Sequence, residues 1–295
     1  MQVDWIRKMN AALAYIEGNL DGDIDVNEAG RLAGCSGYHF QRVFSYVANA
    51  TVSEYIRRRR LTQAAFDLQT SEVKVIDVAL RYGYDSPTSF TRAFSALHGL
   101  APSKARQDGT TFVSYPPISF QISVQGVSAM NYRIEKKEAF RIIGPRLTTT
   151  LTNNQALEDI PRFWNSVETA GQIGQLVGLM NAEPKGVLGA SIGDLLDGSD
   201  NFHYYIAVAS DLPVPPEMHE YKVPASTWAI FESIGPMPET IQTLQKRIYT
   251  EWLPNSGYEY AQAPDIEVYS DGDLTANDYQ SWVWLPVVKK GSGRS

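Results

Sequence analysis

The first hundred residues of this chain carry the same pattern twice. Shifted by 50 positions, Ala29, Ser36, Phe40, Arg42, Phe44, Ser45 and Ser53 fall on Ala79, Ser86, Phe90, Arg92, Phe94, Ser95 and Ser103. A repeat at fixed period is one structural unit used twice, so any fold that suits one copy must suit the other. In the first copy Asp25 and Glu28 resemble a capping pair, and Val26, Ala29 and Leu32 form a short apolar stripe ending at Gly34. Ser36 is then placed to cap a longer helix, in which Phe40, Val43, Phe44 and Val47 recur at the spacing of one helix face. Short helix, tight turn and longer helix is helix-turn-helix order. In the second copy Ser86 is the cap, Pro87 takes the first helical position, and Phe90, Ala93, Phe94 and Leu97 supply the buried stripe.

A helix running to about Asn19 precedes the repeat, because Trp5, Met9, Ala12, Leu13, Ile16 and Leu20 step by three and four. Residues 51–69 between the copies read as one helix, with Thr51 as cap and Leu61, Ala64, Ala65 and Leu68 as its later apolar face. At ~1.5 Å per residue this strut spans ~28 Å, close to the ~34 Å between successive major-groove faces of B-DNA. With the apolar stripes inward, Tyr38, Gln41, Arg42 and Ser45 share the outward face of the first long helix, and Thr88, Thr91, Arg92 and Ser95 that of the second. Arginine can take guanine O6 and N7 together, glutamine can read adenine, and threonine or tyrosine can meet phosphates or the thymine methyl. An ordinary solvated face is the competing reading, and the duplication argues against it. The run Arg57 to Arg60 sweeps most of a helix circumference, so some of its members are expected on phosphates and others on acids.

The net charge of −7 hides an asymmetry. Residues 1–106 hold 13 Lys+Arg and 11 Asp+Glu, giving +2, whereas the remainder holds 13 and 22, giving −9. The first half can hold phosphates and the second would be repelled by them. At 295 residues, 43% hydrophobic, the chain is long enough for two cores. No stretch reaches the ~18 consecutive apolar residues of a membrane helix. The start MQVDWIRKMN has neither an apolar signal core nor a cleavage site. The single Cys35 cannot form an internal disulfide, and four scattered histidines make no zinc site, so a reduced cytoplasm with no metal and no cofactor is expected. Residues 108–127, with Asp-Gly and Pro-Pro punctuation, read as a connector between domains at 1–107 and 128–290, and 291–295 read as a cloning remnant.

Beyond the connector the pattern changes to strands at 132–136, 140–147, 186–192, 202–209, 228–234, 265–269 and 281–288, rich in aromatic and β-branched residues. Helical spacing interrupts them around Leu157 to Ala170 and Pro238 to Trp252. Strands, helix, strands, then the same again predict a duplicated α+β half with helices on an antiparallel sheet, so the fold class is a multidomain chain with an all-α half and an α+β half. The G-x-S-x-G string at Gly189 to Gly193 lacks the helix that a nucleophile elbow needs, because an acidic run DLLDGSDN follows. Asp21, Asp23 and Asp25 are not a calcium loop, since Val26 and Leu32 stand where glycine and a carboxylate are required.

The residues of the first half resemble the tandem helix-turn-helix domain of AraC/XylS-type transcription regulators. The resemblance rests on the YIRxRR strut, the IxxVAxxxGY lead-in and the FxRxFxxxxGxxP close. It implies a regulator, an activator by preference, that binds bipartite double-stranded DNA and contacts RNA polymerase. Its base-reading positions fall here on Tyr38, Gln41 and Arg42, and on Pro87, Thr88, Thr91 and Arg92, with Pro87 standing where relatives often have a polar residue; Ser36 and Ser89 complete the expected DNA-binding set. The second half is similar to GyrI-like effector-binding domains through YKVPASTWAIFESIGP, WLPNSGYE, PDIEVY and WVWLPV. That resemblance implies an aromatic-walled pocket between two repeats with a carboxylate matching Glu267. A lipophilic, cationic small molecule would fit, since rings around a carboxylate add cation–π attraction. The ligand set expected from the two lines together is Glu267, Tyr269, Phe163, Trp164, Tyr205, Trp228, Trp282 and Trp284, with Glu232 as a second carboxylate. Alternation puts Glu267 and Tyr269 on one strand face but leaves open which face lines the pocket. Two other readings of this half stay open: a hydrolase of small electrophiles, and a protein-interaction module without a ligand.

Overall fold

The computed structural model describes residues 2–107, 109–120, 129–152, 155–193, 201–261 and 263–290. They fall into two compact units, Val3–Ile122 and Ser123–Ser295. The expected tail at 291–295, the acidic run after Gly193 and the later part of the expected connector, 121–127, lie outside the described residues.

Six α-helices make up the described part of the first unit: α1 (Gln2–Gly18), α2 (Val26–Ala33), α3 (Gly37–Ala48), α4 (Val52–Thr70), α5 (Val75–Arg81) and α6 (Pro87–His98). Their starts follow from the capping chemistry. Ser36 accepts from the His39 amide, Thr51 from that of Glu54 and Ser86 from that of Ser89, each at 3.2 Å. Asp25 caps α2 through the Asn27 amide, but Glu28 turns to Arg31 at 2.7 Å instead of closing a capping box. Gly34 ends α2 at φ 80°, a left-handed conformation that costs glycine nothing. Phe40 and Phe44 of the first copy, and Phe90 and Phe94 of the second, are fully buried. Helix α4 serves both cores: Val52 and Tyr55 are buried near its start, while Leu61, Ala64, Ala65 and Leu68 belong to the cluster around Phe90 and Phe94. Its apolar residues therefore follow two faces in succession rather than one stripe.

Each member of the arginine run has a partner within the unit, and for three of them it is an acid, as expected for part of the run. Arg57 and Arg58 both bind Glu54, at 2.8 and 2.6 Å. Arg59, whose side chain is 4% exposed, binds Glu17 at 2.7 Å, and Arg60 donates to the carbonyls of Leu20 and Gly22.

The connector also proves to be more than a linker. Over 109–120 it belongs to the helical unit. The Tyr115 amide donates to Thr62 Oγ1 at 3.1 Å, and the Ile118 amide to the Tyr55 hydroxyl at 3.3 Å. Phe120 exchanges two bonds with the Asn10 side-chain amide, at 2.8 and 3.0 Å. Pro-Pro punctuation marked the absence of helix and strand correctly; it carries no information about docking.

The second unit is one sheet of ten strands, every observed pairing antiparallel: β1 (Tyr132–Lys137), β2 (Phe140–Gly144), β3 (Arg146–Thr150), β4 (Val187–Ile192), β5 (Asn201–Ala209), β6 (His219–Val223), β7 (Ser226–Ile234), β8 (Tyr258–Tyr260), β9 (Asp265–Tyr269) and β10 (Gln280–Lys289). Pro145 splits the strand expected at 140–147 into β2 and β3. Helices α7 (Gln155–Thr169) and α8 (Gln172–Leu179) follow β3, and α9 (Glu239–Arg247) follows β7, running on through a π turn at Ile248–Trp252. The strand order β1-β7-β10-β9-β4-β5-β2-β6 puts β9 beside β4 at its middle, with β10 and β5 flanking them. The two strand–helix–strand halves thus meet at the β4/β9 pair.

Candidate nucleic-acid interface and ligand site

The two long helices of the repeat, α3 and α6, carry the residues expected to face DNA. On α6 the expectation of an outward polar face holds: Thr88, Ser89 and Arg92 are exposed and Thr91 is half-buried. Arg92 makes no hydrogen bond or ion pair with a described residue. On α3 it does not hold in full. Ser36 and Tyr38 are half-buried, and Gln41 and Arg42 are 7% and 8% exposed. The Arg42 guanidinium donates to the hydroxyls of Tyr38 and Tyr46, both at 3.2 Å, and lies 5.9 and 5.8 Å from their ring centroids. Residues 38, 42 and 46 are successive steps of four on one helix face, so the three side chains stack along it. Nearby, His39 is buried, and desolvation together with Arg42 holds its pKa well below the ordinary histidine value.

In the second unit the site sits on the β4/β9 seam. Glu267 of β9 lies opposite Gly189 of β4. Its Oε1 accepts from Gln245 Nε2 of α9, and its Oε2 from the Tyr269 hydroxyl at 2.8 Å and, more weakly, the Tyr204 hydroxyl at 3.4 Å. Trp164 of α7 donates its indole N–H to the Tyr204 oxygen at 2.9 Å and meets the Tyr269 ring edge-on at 5.2 Å. A Cβ on residue 189 would come within 2.4 Å of the Tyr204 hydroxyl and 3.0 Å of Glu267 Oε2, so only glycine leaves room for this arrangement. All three donors to the carboxylate are neutral; no lysine, arginine or histidine among the described residues pairs with it.

The expected ligand set is divided by the sheet. Glu267, Tyr269 and Trp164 come together on the face that carries the helices. Phe163, one residue before Trp164, is half-buried and turned about 100° away around the helix. Tyr205, Trp228, Trp282 and Trp284 lie on the opposite face, in the cluster with Ile230, Ile266 and Val268. There Trp228 and Trp284 pack at 5.8 Å, with Lys137 Nζ 5.6 Å from the Trp284 ring. Grouping these four with Glu267 was wrong because aromatic content says nothing about which side of a pleat a residue takes. Glu232 also belongs to that opposite face, paired with Trp282 across β7 and β10, and borders an open cleft with Glu239 and Arg247.

Four participants were not singled out from sequence. Tyr204 differs from the chosen Tyr205 by one position, which in a strand means the other face. Gln245 is 4% exposed in the middle of the α9 apolar stripe, and a glutamine among Ile241, Leu244 and Ile248 was a readable signal. Gly189 was considered only as part of a nucleophile elbow; it and Ser191 lie inside β4. Tyr46 lies one helical turn beyond Arg42.

Comparison with known proteins gives two family matches: a GyrI-like small molecule binding domain over residues 130–288, more than half of the chain, and a helix-turn-helix domain over residues 30–108. The chain is similar to the HTH-type transcriptional activator AarP of Providencia stuartii, 41% identical over 100 residues, or 34% of this chain and 74% of that protein. It is also similar to the regulatory protein SoxS of Escherichia coli strain K12, 34% identical over 94 residues, or 32% of this chain and 88% of that one. Among solved structures, that of SAV2435 bound to tetraphenylphosphonium matches 54% of this chain and 94% of its own, at 26% identity and a TM-score of 0.49.

Proposed function

This chain belongs to the AraC-type helix-turn-helix transcription regulators and carries a GyrI-like small molecule binding domain, and we propose that it is a one-component activator whose second unit senses a lipophilic cation. The observation that carries the ligand class is the seam carboxylate. Glu267 is held by two tyrosines and a glutamine and faces a tryptophan, a setting that supplies hydrogen bonds but no counter-charge. A carboxylate offers about four acceptor sites, of which the three donors take three. A cation with apolar substituents would bring the charge, and the Trp164 and Tyr269 rings would face it. The residues that hold and orient it are Glu267, Tyr269, Tyr204, Gln245 and Trp164. Trp164 is carried by a lightly packed helix, since only Ala156 and Val167 are buried along α7.

In the first unit Arg92, Thr88, Ser89 and Thr91 would read one major-groove face, and Arg42, Gln41 and Tyr38, with Ser36, the next, α4 setting the pitch between them. Activation is supported by what AarP is named for, and RNA polymerase is the partner we propose for it. On this reading the chain works in the cytoplasm and turns over no substrate. Ligand occupancy changes promoter output only if the ligand binds two states of the protein with different affinity.

Tetraphenylphosphonium is a suitable probe because it is a permanent cation without hydrogen-bond donors. Glu267→Gln should weaken its binding by about tenfold or more, from the lost Coulomb attraction at a partly desolvated site. Triphenylphosphine oxide, a neutral compound with three of the same phenyl rings, should lose no affinity on this substitution. Equal affinity of the cation for both proteins in a calorimetric titration would remove Glu267 from the site.

A further inference from the structure

We propose that residues 112–120 are a positioning strap for the DNA-reading helices, and that movement of this strap is how the second unit acts on them; the second clause rests on the sensing role above. A free connector makes few fixed bonds, whereas this one is pinned at intervals. The Tyr115 amide and carbonyl are taken by Thr62 and Arg59, the Ile118 amide by Tyr55, and both polar groups of Phe120 by Asn10. Pro116 and Pro117 between them have no N–H to satisfy and stiffen the path.

The apolar anchors tie both copies of the repeat. Phe112 meets Phe94 at 6.4 Å and His98 at 5.4 Å in the second core. Phe120 meets Phe44 of α3 edge-on at 6.2 Å, and Trp5 at the same distance, in the first. Phe44 lies on the buried side of α3, so a pull on Phe120 reaches the reading helix from behind without touching its polar face. Two of the groups that hold the strap keep a partner without it: Arg59 keeps Glu17 at 2.7 and 2.9 Å, and Tyr55 keeps Glu17 at 2.6 Å. Releasing the strap therefore leaves no buried charge unpaired, and its cost is confined to the ring contacts of Phe112 and Phe120 and a few hydrogen bonds. Chain continuity does the rest, since the residues after Phe120 lead directly into the second unit.

The test uses the full chain with Asn10→Ala, Phe120→Ala, the conservative Phe120→Leu, and Val113→Ala as an exposed control on the same segment. Amide hydrogen exchange followed by NMR should show Tyr115, Ile118 and Phe120 protected in the wild type, and about tenfold or more faster exchange at Ile118 and Phe120 in the first two variants, with α1 and α4 unchanged. The same two variants should bind the promoter fragment about three- to tenfold more weakly, and the shift in promoter affinity produced by tetraphenylphosphonium should shrink toward none. Phe120→Leu should recover part of both effects, and Val113→Ala should change neither. Unprotected strap amides in the wild type, or a loosened strap with wild-type promoter affinity, would overturn the positioning role. A full ligand-induced shift in the loosened variants would overturn transmission while leaving sensing intact. If tetraphenylphosphonium does not bind the wild type, sensing fails, and exchange and ligand-free affinity still decide the strap. Asn10→Ala leaves the Phe120 ring in place, so it reports even if Phe120→Ala does not fold.

Discussion

Arg42 of α3 and Arg92 of α6 hold the same place in the repeat, yet the first is 8% exposed and bound to two tyrosine hydroxyls while the second stands in solvent. The length of the long helix, its serine N-cap and its buried phenylalanines are the same in both copies. The difference sits at two register positions. Tyr38 and Tyr46 flank Arg42, whereas the equivalent positions around Arg92 are Thr88 and Ala96. Duplication thus fixes where the arginine is mounted, and its neighbours at steps of four fix what it is bonded to. Under the proposed base reading, Arg42 must give up both tyrosines before it can take a guanine edge, whereas Arg92 gives up only water.

The largest effect should come from breaking the frame that is more deeply buried in the first copy. Arg59 and Glu17 have side chains 4% and 21% exposed, whereas the matching pair of the second copy, Arg81 with Asp67, has side chains 47% and 27% exposed. Arg59→Leu leaves Glu17 partly buried without its cation and should destabilise the first unit by about 3–5 kcal/mol. Thermal unfolding of the full chain should show the first unit melting earlier and the second unmoved. An unchanged first transition would mean that the pair is solvated in solution.

Next come the two arginines themselves. Arg92→Ala should cost about 1–3 kcal/mol on the promoter and little on random duplex. Arg42→Ala should cost less, because it removes the contact and also the need to break the clasp. An equal loss for the two would mean that the clasp opens at no cost. Smaller still, Tyr46→Phe deletes one hydroxyl and should tighten promoter binding by about fivefold, while Thr88→Tyr with Ala96→Tyr should build a clasp on α6 and weaken it comparably. Fluorescence anisotropy on one promoter fragment ranks all four proteins.

These contrasts also show what could be read in advance. Caps at Ser36, Thr51 and Ser86 and seven strand stretches are local, and local chemistry placed them apart from the break at Pro145, whereas the short strands β6 and β8 and helix α8 went unread. Which residues met across space was not local. Tyr205 stood for Tyr204 because one step along a strand exchanges faces, and Trp228 and Trp284 stood with Glu267 because composition carries no face. The strap at 112–120 escaped because its bonds run to Asn10, Tyr55, Arg59 and Thr62, about 50 or more residues away for each. Gln245 was legible as a polar residue in an apolar stripe; Gly189 needed the opposite strand.

The smallest effect is the one in which the two copies should agree. His39 of α3 and His98 of α6 are both buried, and both have pKa values below the ordinary 6.5, chiefly through desolvation; at His98 the Leu61 carbonyl partly offsets this. A histidine whose folded pKa is depressed binds its proton more readily unfolded, so its contribution to stability is complete above about pH 6.5 and is lost as pH falls below it. Glu17 and Glu54 follow lower down: burial raises each pKa, but bonds to Arg59 and Tyr55, and to Arg57 and Arg58, outweigh it. Their contribution is therefore present above about pH 4.5 and lost beneath it. The melting temperature of the first unit should fall in two stages, one beginning near pH 6.5 and one near pH 4.5. His98→Gln, which keeps a donor for the Leu61 carbonyl, should shrink only the first. If the first stage survives undiminished, His39 alone accounts for it, and the repeat is unequal in its buried histidines as well as in its arginines.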